Sequence, residues 1–229
     1  MFDTKTDYKI TTKFHNKVVT HVLRQPTVED IHLFEKKRLE PMEIKRGEII
    51  QKDNSTGAFA FLWGLLIISV AGYKYTGKNW KEKVPVLHKI PMAKVFGRGH
   101  ILEEQEVIDQ FGKDKLIESD DENIVLYYTD KQRGEELLMS HEFRTPTPED
   151  NDEFSRIDSL SKTKTKKSKL IIKNLPTTKH LCNLYDSMII KTKGYLDCED
   201  FDVPVLHKVV LIKELFNVIN EQMEEIEGN

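Results

Sequence analysis

Cysteine is nearly absent from the chain, which carries only Cys182 and Cys198. Both lie in the C-terminal half, and Ala60 and Thr76 stand at the near-equivalent places of the N-terminal half. A disulfide framework is therefore not expected, the spacing is not that of a metal site, and a reducing interior is the expected location. Charge of one sign is missing as well: 35 basic and 38 acidic residues leave a net charge of −3. That balance lacks the basic face on which sequence-independent nucleic-acid binding rests. Glycine and proline are not in excess, at 11 and 8, while 38% of residues are hydrophobic and 32% charged. These values exclude fibrous and disordered classes. The first residues, Met1 to Lys5, show no basic segment leading into an apolar stretch, so no signal peptide is read. Long hydrophobic runs are limited to Gly57–Gly72. That run is shorter than the roughly 18–20 residues of a membrane span. Its counterpart further on includes Lys179, Asp186, Lys191 and Lys193, so a buried core helix and no membrane partner are expected.

What the chain does have is internal recurrence. Arg24-Gln25-Pro26-Thr27-Val28-Glu29-Asp30 with Phe34 returns as Arg144-Thr145-Pro146-Thr147-Pro148-Glu149-Asp150 with Phe154. Ile49-Ile50 returns as Ile171-Ile172, and Trp63 to Tyr73 as Tyr185 to Tyr195. Val84-Pro85-Val86-Leu87-His88-Lys89 is repeated letter for letter as Val203-Pro204-Val205-Leu206-His207-Lys208. Collinear matches of this kind predict a tandem duplication. The expected division is residues 1–98, a linking helix and acidic loop over 99–122, and residues 123–229.

Each unit reads as α+β, a β-hairpin followed by three helices. Alternation over Tyr8–Phe14 and again over Val18–Leu23 predicts the first hairpin, and Asn123–Tyr128 with Glu135–Phe143 its counterpart. The Arg-x-Pro-Thr block predicts a helix start, with Thr27 or Thr147 as cap and the Glu-Asp pair facing the positive helix end. Pro148 suits the first helical position. The apolar helix is expected to end at Gly72 or Gly194 as a left-handed cap. Pro85 or Pro204 opens the next helix, which runs to about Phe96 or Glu225. Ile101–Phe111 reads as a short linking helix.

Chemical motifs are few. No phosphate loop, nucleophile elbow or metalloprotease helix is present, and Gly97-Arg98-Gly99 reads as a helix cap. No catalytic residue, cofactor or metal site is expected. His88 with Lys89 and His207 with Lys208 occupy matching places at helix starts. They suit either an anion or partner contact, or packing of the histidine on the neighbouring tyrosine with lysine in water. The adjacent carboxylates Glu29-Asp30 and Glu149-Asp150 diverge on a helix and do not share a proton. Lys162, Lys164, Lys166, Lys167 and Lys169 read as a solvated loop, with nucleic-acid or acidic-partner contact as the alternative. The Asp120-Asp121-Glu122 run is read as a solvated loop in the same way.

The recurring blocks resemble a known group. Arg24, Pro26, Thr27 and Asp30, then Gly72, Tyr73, Pro85, His88 and Lys89, are similar to motifs of tailed-bacteriophage morphogenesis proteins. The second set, Arg144, Pro146, Thr147 and Asp150 with Gly194, Tyr195, Pro204, His207 and Lys208, shares that likeness. Tail-assembly chaperones and minor tail or neck proteins are the nearest, though most carry one unit. The resemblance implies a non-enzymatic structural or assembly role, with phage structural proteins or a second copy as partners. It also implies a location in the bacterial cytoplasm or on the virion. The alternative is a nucleic-acid-associated accessory protein using the 162–169 lysine run.

Overall fold

In the computed structural model the described residues are all but 15, 40–41, 46–47, 51–53, 75–76, 97, 121, 167–168, 175, 197–201 and 228–229. Side chains are further left undescribed over 42–45, 48–50, 161–166, 169–174 and 221–227. Cys198, Lys167, Asp121 and the Gly97 of the glycine triplet thus lie outside the described residues.

The chain is α+β. It begins with β1 (Phe2–Asp3), β2 (Tyr8–Phe14), β3 (Lys17–Leu23), α1 (Val28–Arg38), β4 (Met42–Lys45) and β5 (Glu48–Ile50). Next come α2 (Ser55–Leu66), β6 (Ile67–Ala71), α3 (Trp80–Lys83), α4 (Val86–Ala93), β7 (His100–Leu102) and α5 (Glu104–Phe111). The remainder is β8 (Asn123–Gln132), β9 (Glu135–Arg144), α6 (Pro148–Asp158), β10 (Ser161–Lys166), β11 (Lys169–Asn174), α7 (Thr178–Met188), β12 (Ile189–Lys193), β13 (Tyr195–Leu196) and α8 (Val205–Glu227). Among the described residues no helix is long and apolar enough to cross a membrane.

Two compact units are formed, and each is discontinuous in sequence. The first comprises Thr6–Phe96 with Asp158–Lys179; the second comprises Met1–Lys5, Gly97–Ile157 and His180–Asn229. Residues 99–122 therefore belong inside the second unit instead of linking two bodies, and the segments 1–5 and 158–179 each join the unit opposite to the one their sequence position suggests. The first unit holds the sheets β2-β3-β6 and β10-β11-β4-β5; the second holds β12-β9-β8-β7 and the pair β1-β13.

Both expected hairpins form. β2 and β3 pair from Tyr8 opposite Leu23 to Phe14 opposite Lys17, and β8 and β9 from Asn123 opposite Arg144 to Gln132 opposite Glu135. The second turns on Arg133 and Gly134, both at positive φ (55° and 88°), the backbone of a tight two-residue turn. Thr27 caps α1 through a reciprocal box with Asp30. Pro85 stands immediately before α4, as expected.

The apolar run corrects the expectation of one helix ending at glycine. α2 stops at Leu66, and β6 continues directly as a strand antiparallel to β3; α7 and β12 do the same against β9. The β-branched Ile67, Ile68 and Val70, and Ile189, Ile190 and Thr192, favour that extended backbone. Arg24 closes the helix end: its backbone N–H donates to Leu66 O at 3.0 Å and its Nη2 to Leu65 O at 3.3 Å. Arg144 Nε donates likewise to Ser187 O at 3.3 Å. These bonds satisfy carbonyls that a continuing helix would have used. Gly72 and Gly194 do adopt positive φ (84° and 93°), but as strand ends. A Cβ on Gly72 would meet Val18 O, and one on Gly194 would meet Leu138 O, so glycine is required by close backbone approach as well as by φ.

Two further segments differ. Ile101–Phe111 divides into β7 and the shorter α5, which begins with a capping box between Glu103 and Glu106. The lysine segment is not a loop: β10 and β11 form a hairpin that extends β4 through Leu170 opposite Ile44. Its alternation of lysine with threonine and serine has the period of a strand.

Candidate functional site

A chain of aromatic and imidazole groups runs through each unit, joining residues of the recurring blocks to one histidine of each hairpin. In the first unit Trp63 Nε1 donates to His21 Nδ1 at 3.0 Å. His21 Nε2 lies 2.9 Å from the Tyr73 hydroxyl, which lies 2.9 Å from His88 Nδ1. In the second unit the Tyr185 hydroxyl lies 2.7 Å from His141 Nδ1, and His141 Nε2 lies 3.0 Å from the Tyr195 hydroxyl. Tyr195 then meets His207 Nδ1 at 2.9 Å, and His207 Nε2 meets Asp130 Oδ2 at 3.1 Å.

The elements explain the placement. α2 and α7 each present one aromatic, Trp63 or Tyr185, toward the histidine of the central strand, His21 of β3 or His141 of β9. The tyrosine directly after the strand-ending glycine comes next, and the first turn of α4 or α8 supplies the last histidine.

Proton order follows from which groups only donate or only accept. Indole N–H can only donate, so His21 accepts at Nδ1 and carries its proton on Nε2, directed at Tyr73. Tyr73 then donates to His88 Nδ1. In the second unit the constraint comes from the other end. A carboxylate accepts, so His207 donates from Nε2 to Asp130 and accepts at Nδ1 from Tyr195. Tyr195 takes its bond from His141 Nε2–H, and Tyr185 donates to His141 Nδ1. Both chains therefore run in the same direction, from helix aromatic to terminal histidine.

Burial keeps the rings neutral. It pushes His21 down to about 4, with His88 adding a smaller push in the same direction. Burial also drives His141 well below its ordinary value, with His207 contributing. His207 is lowered by burial against the opposing hydrogen bond and charge of Asp130. A hydrogen-bonded neutral network of this kind pins helix, strand and loop together, since each buried polar atom is costly without its partner.

The lysines do not join the histidines in an anion site. Lys89 lies over the Trp63 ring at 4.9 Å and Lys208 over the Tyr185 ring at 5.4 Å. Lys208 also bonds Asp186, and it is buried together with His207. The expectation that these lysines face water is corrected: each covers the aromatic that starts the chain of hydrogen bonds. Lys162, Lys164 and Lys166 lie on β10, away in sequence and element from both chains; Lys167 is outside the described residues.

A second recurring device went unread in the sequence. Arg24 clamps Asp30 through Nη1–Oδ2 at 2.5 Å and Nη2–Oδ1 at 2.8 Å, and Arg144 clamps Asp150 at 2.6 and 3.0 Å. Chiefly through its bonds to Arg144, with help from Thr147, Asp150 is pushed down to about 2. Asp30 is lowered too: burial acts to raise it, and the bonds from Arg24 and Thr27 outweigh burial. The acidic pair at the helix start is therefore half dipole chemistry and half ion pair.

The ends of the two chains differ. The register of each hairpin places Phe14 opposite Lys17 and Asp130 opposite Leu137. Counting outward from His21 and His141, Phe14 and Asp130 hold the same rung. Asp130 receives His207, whereas Phe14 stacks on His88 with ring centroids 3.8 Å apart and planes 6° apart. Beside that stack is a cavity of about 180 Å³ lined by Phe14, Lys17, Val19, Gly72, Tyr73, Lys74 and His88. Among the described residues no cluster of His, Cys, Asp and Glu has the arrangement of a metal site, and Cys182 is buried. No family model, curated protein or solved structure matches the chain.

Proposed function

We propose that the chain is a non-enzymatic assembly protein that works by binding other proteins. The sequence resemblance supplies the setting, tail or neck morphogenesis of a tailed phage. The observation that carries the reading is a difference in exposure between identical sequences. In the Val-Pro-Val-Leu-His-Lys block of the first unit, Val86 is 46% and Leu87 78% exposed; in the second, the matching Val205 is 9% exposed. Apolar side chains left in water at one copy of a block and covered at the other suit a surface that meets a protein partner. The buried histidines support the same reading, because each is engaged by internal partners and held neutral, which suits a strut more than a general base.

The test is affinity purification of the tagged full-length chain from phage-induced cells, with partners identified by mass spectrometry. Stoichiometric recovery of a tail or neck protein is expected. Recovery of the chain alone would overturn the reading.

A further inference from the structure

We infer that the cavity beside His88 is a docking site for an extended segment of a partner protein that carries an aromatic residue followed by an acidic one. The inference rests on the protein-binding reading and names its site and the class of segment. Its ground is that the second unit holds such a segment at the corresponding place.

The correspondence is fixed by backbone geometry. A Cβ on Gly72 would strike Val18 O and Val19 Cα, and one on Gly194 would strike Leu138 O and Met139 Cα. Tyr73 and Tyr195 follow these glycines, and each bonds its terminal histidine, His88 or His207, at 2.9 Å. The same frame of glycine, tyrosine and histidine thus stands in both units.

In the second unit β1 fills that frame. Phe2 N–H donates to Gly194 O at 2.7 Å, and β1 runs parallel to β13 with Phe2 beside Tyr195 and Asp3 beside Leu196. The Phe2 ring sits 4.9 Å from His207 and 6.0 Å from Tyr195, with no exposed surface. Gln132 holds the segment by both its amide atoms, accepting from Asp3 N–H at 2.9 Å and donating to Asp3 O at 2.8 Å.

In the first unit, among the described residues, no strand lies beside Tyr73 and Lys74. The cavity there measures about 180 Å³. A cavity of about 150 Å³ lined by apolar side chains takes up benzene, so the space matches one aromatic side chain. Strand addition along Gly72–Lys74 would supply the main-chain bonds, as it does for β1 at Gly194. Charge selects the next residue. Lys17 and Lys74 line the cavity and are exposed, where the second unit has Leu137 and Leu196. Two ammonium groups at the mouth favour an acidic neighbour to the aromatic, the order found in Phe2-Asp3.

The experiment titrates the isotope-labelled full-length chain with a synthetic peptide having the sequence of residues 1–5. Saturable shifts of the Gly72, Tyr73 and Lys74 amides are expected, with Gly194, Tyr195 and Leu196 unmoved. Replacing the peptide's phenylalanine by alanine should weaken binding about tenfold or more, as should the double substitution Lys17→Glu and Lys74→Glu of exposed residues. Absence of shifts in the first unit, or shifts confined to Gly194–Leu196, overturns the inference. Concentration-dependent self-association of the chain that disappears in the double variant overturns the partner assignment in favour of a second copy. A double variant that still retrieves the phage partner overturns this site and leaves the protein-binding reading standing.

Discussion

The chain of hydrogen bonds from Trp63 to His88 and the chain from Tyr185 to His207 use the same positions of the same blocks, yet one ends open and the other closed. In the second unit the final histidine is capped by Asp130, covered by Phe2 and fully buried. In the first it is half-buried, stacked on Phe14 and bordered by a cavity. One rung of a hairpin and one short N-terminal strand account for the difference. The pinning function needs only the shared part, from helix aromatic to strand histidine to tyrosine. The end of the chain is then available to diverge, sealed in one unit and bordered by a cavity in the other.

The largest effect should come from breaking the shared part. His141→Leu removes the common partner of Tyr185 and Tyr195 and is expected to cost about 3 kcal/mol or more in chemical denaturation. His21→Leu should cost a comparable amount, because Trp63 and Tyr73 bracket it in the same way. If either substitution leaves stability unchanged, the chain is not a strut in that unit.

Acid should act nearly as strongly and in a defined direction. His21 has an ordinary value of 6.5 lowered to about 4 in the folded state, and burial lowers His141 well below the same ordinary value. Between these limits the unfolded chain binds more protons, so stability is constant above about pH 6.5 and falls as pH drops toward 4. For His21 alone the loss approaches about 3 kcal/mol at the lower limit. A second loss follows below about pH 4, as Asp150, lowered from 3.8 to about 2, takes up its proton and releases Arg144. Thermal denaturation across pH reads both windows, and a flat profile from pH 7 to 4 would contradict the neutral, buried rings.

The closed end can be tested on its own. Asp130→Asn keeps an acceptor but removes the charge that opposes the burial of His207, and about 1–2 kcal/mol of destabilisation is expected. Phe14→Asp makes the reciprocal change in the first unit and should abolish any peptide binding at the cavity while costing less stability. Smaller still are the caps: Thr27→Ala and Thr147→Ala should each cost about 1 kcal/mol. Replacing Lys162, Lys164 and Lys166 by Gln should leave stability within about 0.5 kcal/mol. Binding to DNA that weakens steeply with salt and depends on these lysines would instead favour the nucleic-acid alternative.

Much of the local structure was legible in the sequence because its causes are local. Alternation marked the hairpins of β2–β3 and β8–β9, and Thr27 with Asp30 marked the start of α1. The proline at position 85 marked the start of α4. The misread segments share a different cause. Ile67–Ala71 looked like the last turns of a helix because a short apolar run has no period of its own, and only pairing with β3 makes it a strand. The lysine hairpin was hidden by composition, although its alternation was a usable signal. His88 and His207 stood out through recurrence, but their partners His21 and His141 did not, since a histidine inside a strand pattern resembles any other surface-facing polar residue. Phe2 had no signal at all: two residues at a chain end have neither period nor cap.

By itself the sequence determined the turns, the caps, the hairpins and the recurring blocks, because these depend on φ preferences, side-chain bonds a few residues long and the two-residue period of a strand. Only the tertiary structure decided the rest. It set which histidine met which tyrosine, that residues 1–5 and 158–179 joined the units they did, and that His207 was sealed while His88 bordered a cavity. Those outcomes rest on contacts between residues far apart in the chain, where burial turns a hydrogen bond from optional into obligatory.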